Sequence, residues 1–450
     1  MPVHPGASTR PVNASSHIVP VSFDAKGLVA NAGLLLPATL GERLALPELL
    51  RQHVHLGKVD GAANPDVKAL TLIASLLAGG ECVDDVNVLR AGRVGAEVLG
   101  VRPAAASTVG TFLRAFTSGH ARQLDAVQED LHRRAWAVGA RPAGRVVKLD
   151  LDSTVIETYG LQKQGGKDFT YLNTRGYHPL LAVIAETGEV VHSRLREGKA
   201  SSGRGASSFA RQALARLKRL GLLDEIVVRA DSGFYAEKVV AACQAHDARF
   251  SISVRLQKGH HQRIAAIPEE EWKPIPYWLE GAADVAEIPY QPFGKKRTYR
   301  LIVRRVAPTP GTQLWLQGVA YSHYAFITDR EGDMLELEAD HRQHAVVENV
   351  IRDSKYGLGL NHMPSGKFGA NAAWLALNVI AHNLCRWMGL LGGFAIACLK
   401  AWRLRFFSLP GRLVAHGRQR RLRLPADWPW KEEFVALLAK LQAVVTPSTA

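Results

Sequence analysis

Two carboxylates inside one apolar run are the first sign of chemistry. In KLDLDSTVIETYG, Lys148 to Gly160, Asp150 and Asp152 interrupt a row of aliphatic residues, and no acid belongs in a buried strand without a partner. Side chains alternate across a strand, so Asp150 and Asp152 share one face while Leu149, Leu151 and Val155 share the other. At a rise of roughly 3.3 Å per residue the two carboxylates stand about 7 Å apart. A divalent cation held between them and further carboxylates relieves their repulsion, which makes this strand a candidate metal site.

Two more acids sit in suitable contexts. The short β-branched stretch DEIVVRAD ends on Asp231, and a helix read from about Asp340 through Tyr356 carries Glu348 among Val346, Val347, Val350 and Ile351. Lys355 lies two helical turns beyond Glu348, on the same face. An Asp, Asp, Glu set suits two-metal phosphoryl transfer, in which acidic oxygens hold two Mg²⁺ ions roughly 4 Å apart. A chain with 41 acids offers many such triples, so their strand and helix settings carry the weight.

The elements that must position these acids follow from periodicity. Beyond Arg145 the pattern becomes that of strands: the acidic strand, then PLLAVIA and VVHSRLR joined across Glu186, Thr187, Gly188 and Glu189 as a hairpin. SSFARQALARLKRLG supplies a crossover helix, after which the Asp231 strand lies parallel to the first. AEKVVAACQAHD and ARFSISVRL add a helix and a fifth strand, which puts Asp152 and Asp231 on adjacent central strands. Before this core, residues 28–140 read as a helical N-terminal DNA-binding region. Within them PAAASTVGTFLRAF, with Ser107 or Thr108 as cap, fits either a DNA-binding helix-turn-helix or an ordinary helical bundle. Residues 1–27 read as a loose tail without a signal peptide, 257–335 as an inserted β-rich domain, 336–395 as the core's second part with the Glu348 helix, and 396–450 as a basic C-terminal region. ANAAWLALNVIAHNLCRWM is a helix for the core.

Charge points to the partner. Lys and Arg number 56 against 41 Asp and Glu, a formal charge of +15, which favours nucleic acid over a membrane surface. From Lys400 to Pro425 there are eight basic residues, Lys400, Arg403, Arg405, Arg412, Arg418, Arg420, Arg421 and Arg423, and no acid. Trp402, Phe406 and Phe407 are interleaved, a composition suited to phosphate contact plus stacking. Arg342, Arg352 and Lys355 place further cations beside the Glu348 helix for DNA. The tryptophans of the insertion, Trp272, Trp278 and Trp315, read as core, with stacking on a flipped base as the minor reading. Cys82, Cys243, Cys385 and Cys398 are scattered, as in a reduced, cytoplasmic chain. The run Met388 to Leu399 reads as a buried helix, since about 20 apolar residues are needed to span a membrane.

With these residues in view, DLDSTV, RADSGFY, ENVIRDSK with YGLGL, MPSGKFGANAAWLALN and FFSLPGRLV resemble the DDE transposases of bacterial insertion sequences, the group-one type of insertion-sequence family thirteen-eighty. The resemblance runs from about Gly79 to Pro425. It implies an α/β, ribonuclease-H-like catalytic domain, a mixed five-stranded sheet with helices, of which 141–256 is the first part, interrupted by the β-rich insertion. It further implies Mg²⁺-dependent cleavage at transposon terminal inverted repeats and strand transfer into target DNA, with two Mg²⁺ ions that Mn²⁺ replaces. The implied setting is a homodimer in a synaptic complex on the bacterial nucleoid. The Ser-Thr after Asp152 selects it as the first ligand, with Asp231 second and Glu348 third. Asp150 is either a further ligand or a carboxylate at a polar strand edge. The relatives' signature of Tyr, two residues, Arg, three residues, Glu, six residues, Lys is met by Glu348 and Lys355, whereas His341 and His344 stand at the Tyr and Arg positions. A neutral imidazole does not replace a bidentate guanidinium, so a DNA-binding regulator without catalysis, or a structure-specific nuclease, are the alternatives.

Overall fold

The computed structural model of the protein describes residues 21–91, 94–201, 203–221, 223–276, 282–294, 297–309, 311–316, 320–394, 398–416 and 419–446. A two-residue strand, β1 (Leu28–Val29), precedes a helical region: α1 (Leu35–Arg43), α2 (Leu46–His53), α3 (Pro65–Ala78), α4 (Val86–Arg90), α5 (Val94–Glu97), α6 (Ala106–Ala115) and α7 (Ser118–Ala137). Helix α6 starts ahead of the expected cap, after an extended Ala105 and without a capping side chain. Thr117 caps the next helix instead, accepting from the His120 N–H at 3.2 Å.

The strands come in the expected order. β2 (Val146–Ser153) is followed by the small pair β3 (Ile156–Glu157) and β4 (Gly176–Tyr177), then β5 (Leu180–Ile184) and β6 (Val190–Arg194). Helix α8 (Ala206–Leu220) crosses to β7 (Glu225–Ala230), and α9 (Glu237–Gln244) to β8 (Arg249–Ser253). β5 pairs antiparallel with β2 and β6, while β2, β7 and β8 run parallel. Leu149 and Leu151 pack with Phe209, Leu214 and Val239 beneath the sheet. The amphipathic α8 and α9 bury their apolar stripes there, which leaves the opposite face of β2 for its acids.

The stretch 257–335 is rich in strands, as expected, but these strands continue the same sheet. After α10 (Lys258–Ala265) come β9 (Lys273–Pro274), β10 (Ala283–Tyr290), β11 (Tyr299–Val306), α11 (Gln313–Leu316) and β12 (Ser322–Thr328). β12 lies against β8, Ile327 opposite Ile252, and extends the sheet to nine strands in the order β6-β5-β2-β7-β8-β12-β11-β10-β9. The open edge of β8 is thereby covered. The helix read from Asp340 to Tyr356 is divided into α12 (Met334–Arg342), a 3₁₀ turn at Gln343–Ala345, and α13 (Val346–Gly357).

Helix α14 (Phe368–Gly392) is the axis of the larger core. Trp374, Leu377, Ile380 and Leu384 pack against Leu40, Leu72, Phe112 and Leu131 from the N-terminal helices. The apolar run from Met388 to Leu399 is not one helix: α14 ends at Gly392, Gly393 turns the chain at a left-handed φ of 75°, and Leu399 opens α15 (Leu399–Trp402). Among the described residues no helix is long and apolar enough to cross a membrane. The chain closes with β13 (Gly411–His416), β14 (Gln419–Arg423) and α16 (Lys431–Ala443), and β13 pairs with β1 as well as β14.

One residue of the expected hairpin turn is a buried acid. Glu189, in the β5–β6 turn, has no exposed surface and accepts from the indole N–H groups of Trp136 and Trp387 and from the Thr187 hydroxyl, with His132 Nε2 at 3.0 Å. It ties α7 and α14 to the sheet.

Candidate active site

Asp152 is the seventh residue of β2 and Asp231 follows the last residue of β7. The parallel register pairs Leu151 with Ala230, so the two acids emerge side by side from neighbouring strand ends. Each is held by local backbone: Ser153 N–H donates to Asp152 Oδ1 at 2.6 Å, and Gly233 N–H to Asp231 Oδ1 at 3.0 Å. Glu348 stands in the first turn of α13, exposed, and makes no hydrogen bond or ion pair among the described residues. Burial, with the charges of Asp231 and Glu348 beside it, pushes the Asp152 carboxyl up to about 7. Burial also raises Asp231, against the Gly233 N–H.

Desolvation is the largest cause of both shifts, and the neighbouring carboxylates add to that of Asp152. The donors are hard oxygens, which suits Mg²⁺ or Mn²⁺. Among the described residues no three His, Cys, Asp or Glu side chains lie close enough together to enclose one ion. The oxygen donor chemistry fits such an ion, whereas the described residues do not bring the three acids together as one ligand set.

Asp150 has a different task. Both its oxygens are taken by Arg229, its partner across the parallel ladder, through Nε–Oδ1 at 2.7 Å and Nη2–Oδ2 at 2.8 Å. Arg229 also donates to the Asp340 carbonyl, and Lys148 and Arg330 hold the Asp340 carboxylate. Burial raises Asp150 to about 6 against the pull of Arg229. Asp150 is fully buried, so it is not a carboxylate at a polar strand edge, and its countercharge is a bidentate guanidinium. Arg229, missed in the sequence, was marked there by an arginine inside an apolar strand.

The histidines at the Tyr and Arg signature positions face inward. His341 stacks on Phe326 at 4.2 Å and bonds Ser253 Oγ at 2.9 Å, and burial pushes it down to about 3. His344 Nε2 donates to the Leu151 carbonyl at 3.2 Å. Lys355 Nζ donates to the Val155 carbonyl at 2.7 Å, fastening α13 to the chain just past β2. Burial lowers its pKa, while Glu157 and Asp152 oppose that shift.

The basic residues divide into two groups. Arg403 is inward, donating to the carbonyls of Leu76, Leu77 and Gly357, where it closes the ends of α3 and α13. That structural position corrects its reading as a DNA contact. Trp402, Phe406 and Phe407 are likewise buried, with Phe407 stacked on the Trp402 ring and Phe406 tilted against it, so they are core rather than a stacking platform. Lys400, Arg405, Arg412, Arg420, Arg421 and Arg423 are exposed. Arg420 pairs with Glu97, Arg405 lies over Trp430, Arg342 is 3.6 Å from Glu338, and Arg352 donates to Asn349. Arg418 lies outside the described residues, as do Trp278 and the side chain of Trp315. Trp272 packs at the sheet with Arg305 over its ring.

The nine-stranded sheet places Asp152 and Asp231 at the ends of two parallel strands, and Glu348 stands on a following helix. The family model described as Transposase DDE domain group 1 matches residues 12–446, and the chain belongs to that family of DDE transposases. No curated protein matches it. One similar solved structure is a cryo-electron-microscopy structure of the piggyBac transposase synaptic complex with hairpin DNA, at 10% identity and a TM-score of 0.44, over 94% of this chain and 83% of that one.

Proposed function

We propose that this transposase cuts DNA at the terminal inverted repeats of its own element and joins the freed ends to target DNA, with Asp152, Asp231 and Glu348 as the acids of the reaction. The observation that carries this reading is the parallel register that sets Asp152 and Asp231 at neighbouring strand ends in a chain of the DDE transposase family. The strand order β6-β5-β2-β7-β8, with β5 antiparallel to both of its neighbours and β2, β7 and β8 parallel, supports a ribonuclease-H-like core. The three acids would hold the divalent ions, two Mg²⁺ in this reading, which supply Lewis-acid stabilisation of charge on the phosphate oxygens. The chain's own residues do the rest. Ser153 and Gly233 orient the acids, the Asp150–Arg229 pair stiffens the strand beneath them, and Lys355 keeps α13 against β2.

Arg412, Arg421 and Arg423 share one face of the β13–β14 hairpin, Arg412 directly opposite Arg423. Like charges placed opposite one another destabilise a ladder unless an anion lies across them, and a DNA backbone supplies one. The working form is a homodimer joined with two DNA ends, in the bacterial nucleoid. Replacing Asp152 or Asp231 by Asn, or Glu348 by Gln, is expected to lower cleavage of an end-containing duplex on the order of a thousandfold while binding stays within about threefold. Cutting at the wild-type rate by all three variants sinks the proposal. The inward histidines favour one second reading, a DNA-binding regulator. Salt-sensitive binding by the wild type without nicking in Mg²⁺ or Mn²⁺ would select it.

A further inference from the structure

Between β3 and β4 the chain carries an apolar tip that the acids do not explain. Tyr171 is 63% exposed and Leu172 54%, beside an exposed Phe169. The turn beneath them is tightly tied: Thr170 N–H donates to the Thr174 carbonyl at 2.8 Å, Asn173 N–H to the Thr170 carbonyl at 3.0 Å, and Leu172 N–H to Thr170 Oγ1 at 3.3 Å. Asn173 takes a left-handed φ of 61°, a conformation that asparagine tolerates better than most residues. The loop is anchored below, where Gln164 N–H donates to the Gly366 carbonyl and the Tyr177 hydroxyl to the Gln164 carbonyl. Large apolar groups fixed in water on an ordered turn point to a contact that is absent here.

Its position says what that contact is. The Tyr171 ring lies 5.1 Å from the ring of buried His178, two residues before β5, the strand on which Leu181 pairs with Asp152. The tip therefore stands over the strand end from which the acids emerge. Burial raises the Tyr171 phenol, and the charges of Asp152 and Asp231 reinforce the shift. Exposed Lys167 and Arg175 flank the tip, with the Arg175 guanidinium 4.9 Å from the Phe169 ring centre. Aromatic and aliphatic surface set among cations matches a base face and its adjoining phosphates.

We propose that Tyr171 and Leu172 form a wedge that takes up a base unstacked from the duplex beside the scissile phosphate. The wedge deepens the cleavage reading above and rests on it. Unstacking a base lets the backbone bend toward the acids, and the aromatic face compensates the lost stacking.

The test uses the full chain and a duplex carrying the inverted repeat that brackets the reading frame, with 2-aminopurine placed singly across the cut. In a Glu348→Gln background, which leaves the DNA whole, fluorescence is expected to change at one or two positions on binding. Adding Tyr171→Ala and Leu172→Ala abolishes that change, with affinity altered less than about threefold, while Tyr171→Trp retains it. With Glu348 intact, the double variant cuts about 10- to 100-fold more slowly, and a mismatch at the reporting position restores the rate. An unchanged fluorescence pattern and cutting rate in the double variant overturn the wedge alone. So does a loss of cutting that no mismatch rescues, since that marks a structural role. A wild-type chain that binds this duplex and does not cut it overturns the cleavage reading and the wedge with it.

Discussion

Asp150 and Asp152 lie two residues apart on one strand face, yet their surroundings give them opposite tasks. Asp150 faces a guanidinium across the ladder, and Asp152 lies beside the strand end that carries Asp231. Replacing Arg229 by Ala leaves a buried acid unpaired and is expected to lower stability by about 3–5 kcal/mol in denaturant melts. An Asp150→Asn, Arg229→Met double variant should recover much of that loss. Asp152 gives a pH dependence of definite sign. Its folded pKa is raised to about 7, so between the usual carboxylate range and pH 7 the folded chain binds more protons than the unfolded one. Ion-free protein should therefore lose stability as pH rises from about 4 to about 7, less so in Asp152→Asn, and added Mg²⁺ should stabilise it most above pH 7. A melting-temperature series across that range, with and without Mg²⁺, reads the sign directly. The pairing of Asp150 was hidden in the sequence because nothing local to KLDLDSTV tells which residue of β7 lies opposite.

At the scale of elements, strand order was legible because each switch from period two to helical spacing is written in the chain, and the hairpin turn at Thr187 and Gly188 is explicit. The basic C-terminal segment misled for a physical reason. Aromatic and basic residues alternate there whether the aromatics face DNA or the interior, and only packing shows that Trp402, Phe406 and Phe407 go inward. The cations of the following hairpin remain outside. Changing Arg412, Arg421 and Arg423 together to Gln is expected to lower DNA affinity and reduce the slope of log affinity against log salt by about one per arginine. Equal slopes for variant and wild type would remove the hairpin from the DNA-contacting surface. The break between α12 and α13 was also invisible, since Gln343–Ala345 carries no proline or glycine to announce it.

Across the whole molecule, the N-terminal helices were expected as a region apart and instead share a core with α14. Helical periodicity reports which face is apolar, never which distant face it meets. Glu189 stands at the junction of that core with the sheet, and Glu189→Gln should cost about 2–4 kcal/mol, because one acceptor becomes a donor aimed at donors. Chemical denaturation with a tryptophan fluorescence readout measures it. The pairing of Leu28 with Arg412 has a consequence in time. On the ribosome the first strand waits, unpaired, until nearly the whole described chain has emerged, and loop closure over such a separation is slow. Closing the small sheet that presents the arginine face is therefore a late event of synthesis, and a chain truncated before the hairpin would leave Leu28–Val29 without its ladder.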